Sequence, residues 1–127
     1  MKLRKMVIMT GWLLLVLLIA AACNGRVRVP EGTKTVAALL KNPVYDTEIN
    51  VYGEVSLLGE LFCPCFVLSS GGKSIEVWYS LLTEEDGSPW PTISVDGFQN
   101  GDVVIVTGEL RMDVKNVIWA VVINKAR

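Results

Sequence analysis

Hydrophobic and polar positions divide the chain into three stretches with different rhythms. Residues 7–22 are apolar at 14 of 16 positions, broken only by Thr10 and Gly11, with Lys2, Arg4 and Lys5 in front. A basic start followed by an apolar run of this length is the pattern of an export signal. Asn24 to Lys34 holds Arg26, Arg28, Pro30 and Gly32, shows no periodicity and reads as a solvated tether. Thr35 to Lys41 predicts a short helix: Thr35 caps it, and Val36, Leu39 and Leu40 form an apolar stripe at i, i+3 and i+4. Asn42-Pro43 ends it, because proline pushes the residue before it out of the helical region.

The remainder alternates with the two-residue period of strands. Ile49, Val51, Gly53, Val55 and Leu57 share one face, with Gly53 marking a bulge or a sharp bend. Phe62 to Leu68 forms the second strand, and Ser69-Ser70-Gly71-Gly72 turns into a third from Ser74 to Ser80. There Ile75, Val77 and Tyr79 oppose Glu76 and Trp78. Leu81 to Asn100 is a long connection whose prolines allow at most a turn or two of helix. Asp102 to Leu110 and Val117 to Asn124 are the fourth and fifth strands. The organisation that follows is a leader at 1–22, a tether at 23–34 and one folded domain at 35–127. Without the leader, the 105 remaining residues suffice for one core and not two.

Charge and composition narrow the chemistry. Removing the three leading cations leaves nine basic residues against 13 acidic ones, a balance of about −4 that argues against a nucleic-acid partner. The chain has no histidine. That excludes the Ser-His-Asp triad, the Cys-His dyad, and zinc or haem sites that need imidazole. No catalytic set emerges, and no cofactor is expected.

The leader ends in Ile19-Ala20-Ala21-Ala22-Cys23. Small residues directly before a cysteine resemble the lipobox of bacterial lipoproteins, with Ala20 where leucine is usual. The resemblance implies diacylglyceryl transfer to Cys23, cleavage before it and acylation of the new amine. Several acyl chains, at about 0.8 kcal/mol for each buried methylene, anchor a protein stably. An uncleaved signal anchor and a plain secretory signal are the alternatives, and all three place the domain outside the cytoplasm. Asn24, which is not aspartate, implies an outer-membrane address by lipoprotein sorting where the cell has such a membrane.

Within the domain, Val51-Tyr52-Gly53-Glu54-Val55, Cys65-Phe66-Val67-Leu68 and Asn100-Gly101-Asp102 through Leu110 resemble successive strands of OB-fold barrels. Leu39-Leu40-Lys41-Asn42-Pro43 with Tyr45 resembles the lead-in of small exported lipoproteins in which a helix precedes such a barrel. The fold this implies is all-β with one short N-terminal helix, a five-stranded Greek-key OB-like barrel. Gly53 and Gly108 suit the sharp coiling that a small barrel needs.

Cys63-Pro64-Cys65 is the most distinctive motif. In a regular strand both sulfurs point to one face, outward if Phe66 and Leu68 point inward. Their α-carbons then stand near the upper limit for a disulfide, about 6.8 Å. A structural bridge or packed thiols, a redox pair, and a Cu(I) or Zn(II) site all remain open, and two thiolates alone bind metal weakly. Tyr52 and Trp78 join the cysteines as candidate ligand contacts on the outer face of the first three strands, which OB-folds use for binding. Glu84-Glu85-Asp86-Gly87 reads as a solvated turn. Trp90 is expected to pack across a barrel end, and Trp119 to be buried in a strand apolar on both faces. The expected function is a membrane-tethered, non-catalytic binding module of unknown ligand, with an envelope protein as its partner class. Thiol redox or soft-metal handling by Cys63 and Cys65 is the alternative, with oligonucleotide or oligosaccharide binding behind it.

Overall fold

The computed structural model describes residues 29–126. The leader, the lipobox with Cys23, and Asn24 to Arg28 lie outside the described residues. The chain forms β1 (Lys34–Thr35), α1 (Val36–Lys41), β2 (Glu48–Ser56), β3 (Cys65–Ser70), β4 (Lys73–Trp78), β5 (Val103–Met112) and β6 (Asn116–Lys125). Strands β2, β3 and β4 form an antiparallel meander. β5 returns to pair antiparallel with β2, and β6 lies between β5 and β4, parallel to β4. The circuit therefore closes, and the architecture is the five-stranded Greek-key barrel of the OB-fold with one extra strand.

The alternation expected of β2 is present: Ile49, Val51, Gly53 and Val55 are buried between more exposed neighbours. They meet Phe66, Leu68, Ile75, Val77, Val104, Val106, Leu110, Ile118, Ala120 and Ile123 in one core. Closure depends on two close backbone approaches. A Cβ on Gly53 would stand 2.8 Å from Leu68 Cγ and from the Ser69 carbonyl oxygen. One on Gly108 would collide with the Trp119 carbonyl and stand 3.0 Å from Ala120 Cα. The bulge sits at Gly108, where the β5–β6 register jumps from Thr107↔Val122 to Gly108↔Ala120. One extra residue there bends the pair and tightens the barrel.

Helix α1 plugs the end of the barrel at the β3–β4 hairpin. The Thr35 hydroxyl accepts from Ala38 N–H at 3.1 Å, and Ser70 Oγ accepts from Val36 N–H at 2.8 Å. Val36 and Leu39 are wholly buried, each worth roughly 1.5–3 kcal/mol by removal from water. Strand β1 extends the folded unit into the segment read as tether. Lys34 and Thr35 pair in parallel with Val51 and Tyr52, on a stretch of β2 that β3 leaves free.

The long connection from Tyr79 to Asp102 contains no helix and is laid over the barrel as irregular chain. Thr83 bridges Pro89, and Ile93, Val95 and Phe98 pack against the core. No helix among the described residues is long and apolar enough to cross a membrane.

Candidate functional site

The second strand starts later than the hydrophobic pattern implied. Leu57 and Gly59 take positive φ, and residues up to Pro64 form a loop, so Phe62 is fully exposed rather than in a strand. Pro64 has no N–H for a ladder, but its carbonyl accepts from Tyr79 N–H at 3.0 Å. This irregular entry draws the Cys63 and Cys65 α-carbons to 5.2 Å, and the two residues form a disulfide. The spacing expected of a regular strand is thus corrected by Cys63 lying outside the strand.

Cys65 stands opposite Trp78 and diagonal to Glu76 on the outer face, since both its neighbours in the ladder, Phe66 and Val77, point inward. It is nevertheless 1% exposed, so the outward direction holds while the ligand contact proposed for it on that face is covered. A bridge between residues only two apart removes little freedom from the unfolded chain, about 1.6 kcal/mol by loop length. It is a weak staple for a barrel that already closes on itself.

Glu76 lies beside the bridge, and its carboxylate and the two sulfurs are within 4.8 Å of one another. Trp78 Nε1 donates to Glu76 Oε1 at 2.6 Å, and Lys115 Nζ donates to Oε2 at 2.8 Å. Burial pushes the Glu76 carboxyl up. The hydrogen bonds from Lys115 and Trp78, with the lysine's charge, outweigh that and hold it below its ordinary value.

Tyr52 does not join this group. It faces outward in β2, between Thr35 of β1 and Ile105 of β5, at the level where the β3–β4 hairpin turns. Trp78 lies at the opposite end of β4, paired with Cys65. The four candidates therefore separate into Cys63, Cys65 and Trp78 at one place and Tyr52 at another. Register is the cause: β2 meets β3 only from Glu54 to Ser56, which leaves Tyr52 at the hairpin end, while Trp78 pairs with Cys65 at the other end of the β3–β4 ladder.

What the sequence did not reveal is the partner of Trp78. β4 and β6 run parallel with Trp78 directly opposite Trp119. Trp119 is half-buried on the outer face, not buried as its apolar strand suggested, because the outer side of β6 is only partly covered. Between them opens a groove of about 270 Å³ lined by Glu76, Trp78, Leu82, Val114, Val117 and Trp119. The Val114 side of its rim is the β5–β6 turn, and Val114 is 96% exposed.

Arg111 builds the wall behind Trp119. Its guanidinium carbon lies 4.4 Å from the Trp119 ring centre and 5.2 Å from that of Trp90. Nη1 and Nη2 form a fork on Glu84 at 3.1 and 2.8 Å, and Nη2 also reaches Glu109 at 3.1 Å. Nε is 3.1 Å from Asp46 Oδ1, an ion pair in which the N–H does not point along the line of contact. Glu84, then burial working against it, then Glu109 set the guanidinium, and its pKa is raised. Glu84 is thus a fastener rather than part of a solvated turn. Asp86 does serve a turn, accepting from Ser88 N–H and Oγ at 2.9 and 2.6 Å. Trp90 packs, but on the outer wall instead of across a barrel end: it lies edge-on to the outward Trp119 with ring centres 5.5 Å apart, held there by Arg111 and the Ala120 carbonyl. Nothing in the spacing of Asp46, Glu84, Glu109 and Arg111 announces that they meet.

The arrangement is an apolar groove flanked by two indoles, with Glu76 and Lys115 supplying charge along its rim. No family model matches the chain, and no curated protein matches it. Among solved structures it is similar to the hypothetical protein ygiW from E. coli, at 20% identity and a TM-score of 0.53, over 81% of this chain and 100% of that one. That likeness is one of fold: a small closed barrel.

Proposed function

We propose that the chain is a non-catalytic binding module, tethered by lipid on Cys23 outside the cytoplasm, that takes its ligand in the groove between Trp78 and Trp119. The observation that carries the binding role is the pairing of these two half-exposed indoles across neighbouring parallel strands. Indoles so placed offer flat apolar area at small entropic cost, while Nε1–H and the Glu76 carboxylate give direction. The groove lies against the β5–β6 turn, one of the loops through which OB barrels engage ligands. The address is supported by the apolar run at 7–22 and the small residues before Cys23.

Fluorescence titration tests the groove. An N-acetylated hexosamine oligomer, an apolar peptide and an oligodeoxythymidylate are added to the purified chain at low salt. The expected result is a saturable change with the first or second, abolished by Trp78→Ala with the fold intact, and none with the third. Saturable, salt-dependent binding of the oligonucleotide alone overturns the reading. Mass spectrometry of the mature protein tests the tether, which requires a first residue of acylated Cys23.

A further inference from the structure

Beside the groove lies a cluster that shares Glu76 with it. Cys63 comes from the loop before β3, Cys65 from the first position of β3 and Glu76 from the middle of β4, and their ligating atoms converge within 4.8 Å. We propose that reduction of the Cys63–Cys65 bridge by a dithiol turns this cluster into a zinc site, with two thiolates and the Glu76 carboxylate as ligands and a fourth position open to water.

The chemistry balances. The dithiol gives two electrons and two protons to the disulfide, leaving two thiols here and a disulfide on the reductant. Zinc(II) then displaces the two thiol protons to solvent. Two thiolates and one carboxylate carry three negative charges, the ion carries two positive ones, and the Lys115 ammonium supplies the third. Tetrahedral zinc holds such ligands about 3.5–3.8 Å apart, so the observed cluster needs only short movements to reach it.

Two further features favour a site over a staple. The Tyr79 N–H holds the Pro64 carbonyl at 3.0 Å, so the Cys-Pro-Cys segment is positioned by more than the bridge itself. Both Glu76 oxygens already have a fixed donor, from Trp78 and Lys115, and each keeps a lone pair for a metal. Such outer partners orient ligating carboxylates in metal sites. The oxygen donor selects zinc over Cu(I), which prefers sulfur throughout.

The test uses the full chain in detergent micelles, carrying Cys23→Ser so that Cys63 and Cys65 are its only thiols. It is reduced with dithiothreitol, freed of reductant under anaerobic conditions, and titrated with cobalt(II) and then zinc(II). The expected result is one cobalt per chain, with thiolate-to-cobalt charge transfer and the intense visible bands of tetrahedral geometry, displaced by one zinc. The oxidised chain shows none of this. Glu76→Gln keeps the charge-transfer band but weakens zinc at least about tenfold. Cys63→Ser, at the more exposed cysteine, removes the band while circular dichroism stays unchanged. A reduced chain without charge transfer overturns the proposal, and so does zinc affinity unaltered by Glu76→Gln or equal binding by the oxidised form. No groove ligand enters this titration, so its failure and that of the binding role are separable.

Discussion

The indole nitrogen of Trp90 donates to the carbonyl oxygen of Ala120 at 2.9 Å. Ala120 belongs to the register jump of β6 opposite Gly108, where the ladder is irregular, and the indole supplies a partner from the long connection. Trp90→Phe keeps a ring beside Trp119 and removes only this donor. The expected loss is about 1 kcal/mol in urea unfolding, with faster amide exchange along Leu82–Ile93 than elsewhere.

Arg111 joins strand, connection and indoles at one point. Replacing it by Lys keeps the charge but loses the two-pronged grip on Glu84 and the flat contact with Trp119. Arg111→Lys is expected to cost about 2 kcal/mol by chemical denaturation. Arg111→Ala, which leaves Glu84 and Glu109 facing each other, is expected to cost about 3 kcal/mol. Equal stability of the wild type and the lysine variant contradicts this account.

Glu76 makes stability depend on acid. Its pKa in the folded protein is lower than its ordinary value of 4.5, so the folded state favours the ionised form. The contribution is therefore complete above the unfolded value and lost as pH falls through the folded one. Urea midpoints of the wild type and Glu76→Gln, compared between neutral pH and strong acid, are expected to differ by a constant amount at neutrality and converge in acid. Lys115→Met is expected to shrink the difference, because it removes both a hydrogen bond and a charge.

Gly108→Ala forces a Cβ into the Trp119 backbone, which cannot swing aside like a side chain. The expected cost is about 3 kcal/mol, measured by thermal or urea unfolding. Gly59→Ala is the comparison: its space is open and only its φ of +78° is unfavourable. About 1 kcal/mol is expected there.

Much of the barrel was legible because its signals are local. The Thr35 cap, the alternation through Ile49–Val55 and the glycine in Val-Thr-Gly-Glu-Leu each act within a few residues. The OB order of strands followed from their resemblance to known segments. The site was less legible because it is made by registry between distant strands. Trp78 was found as an outward aromatic, but its alignment with Trp119 depends on the parallel pairing of β4 with β6. Tyr52 had the same local pattern as Trp78 and was separated from it by the register of the β2–β3–β4 meander, which alternation along one strand does not report. For Cys65 the outward direction was legible and the cover over it was not, because alternation reports direction alone. Arg111 had no motif, since its three acidic partners come from a loop, a connection and its own strand.

The pairing of β2 with β5 also has a kinetic consequence. The helix plug, β2, β3 and β4 are near neighbours along the chain, so they can assemble with small loop-closure cost. The other flank of β2 is completed only by a strand that lies beyond the whole meander and the long connection. Until that strand arrives, Ile49 to Val55 present an unpaired apolar edge, the kind of surface on which chains join one another. Joining of β5 to β2 is then the late, slow event of folding, and the interval before it is when this protein is most exposed to aggregation.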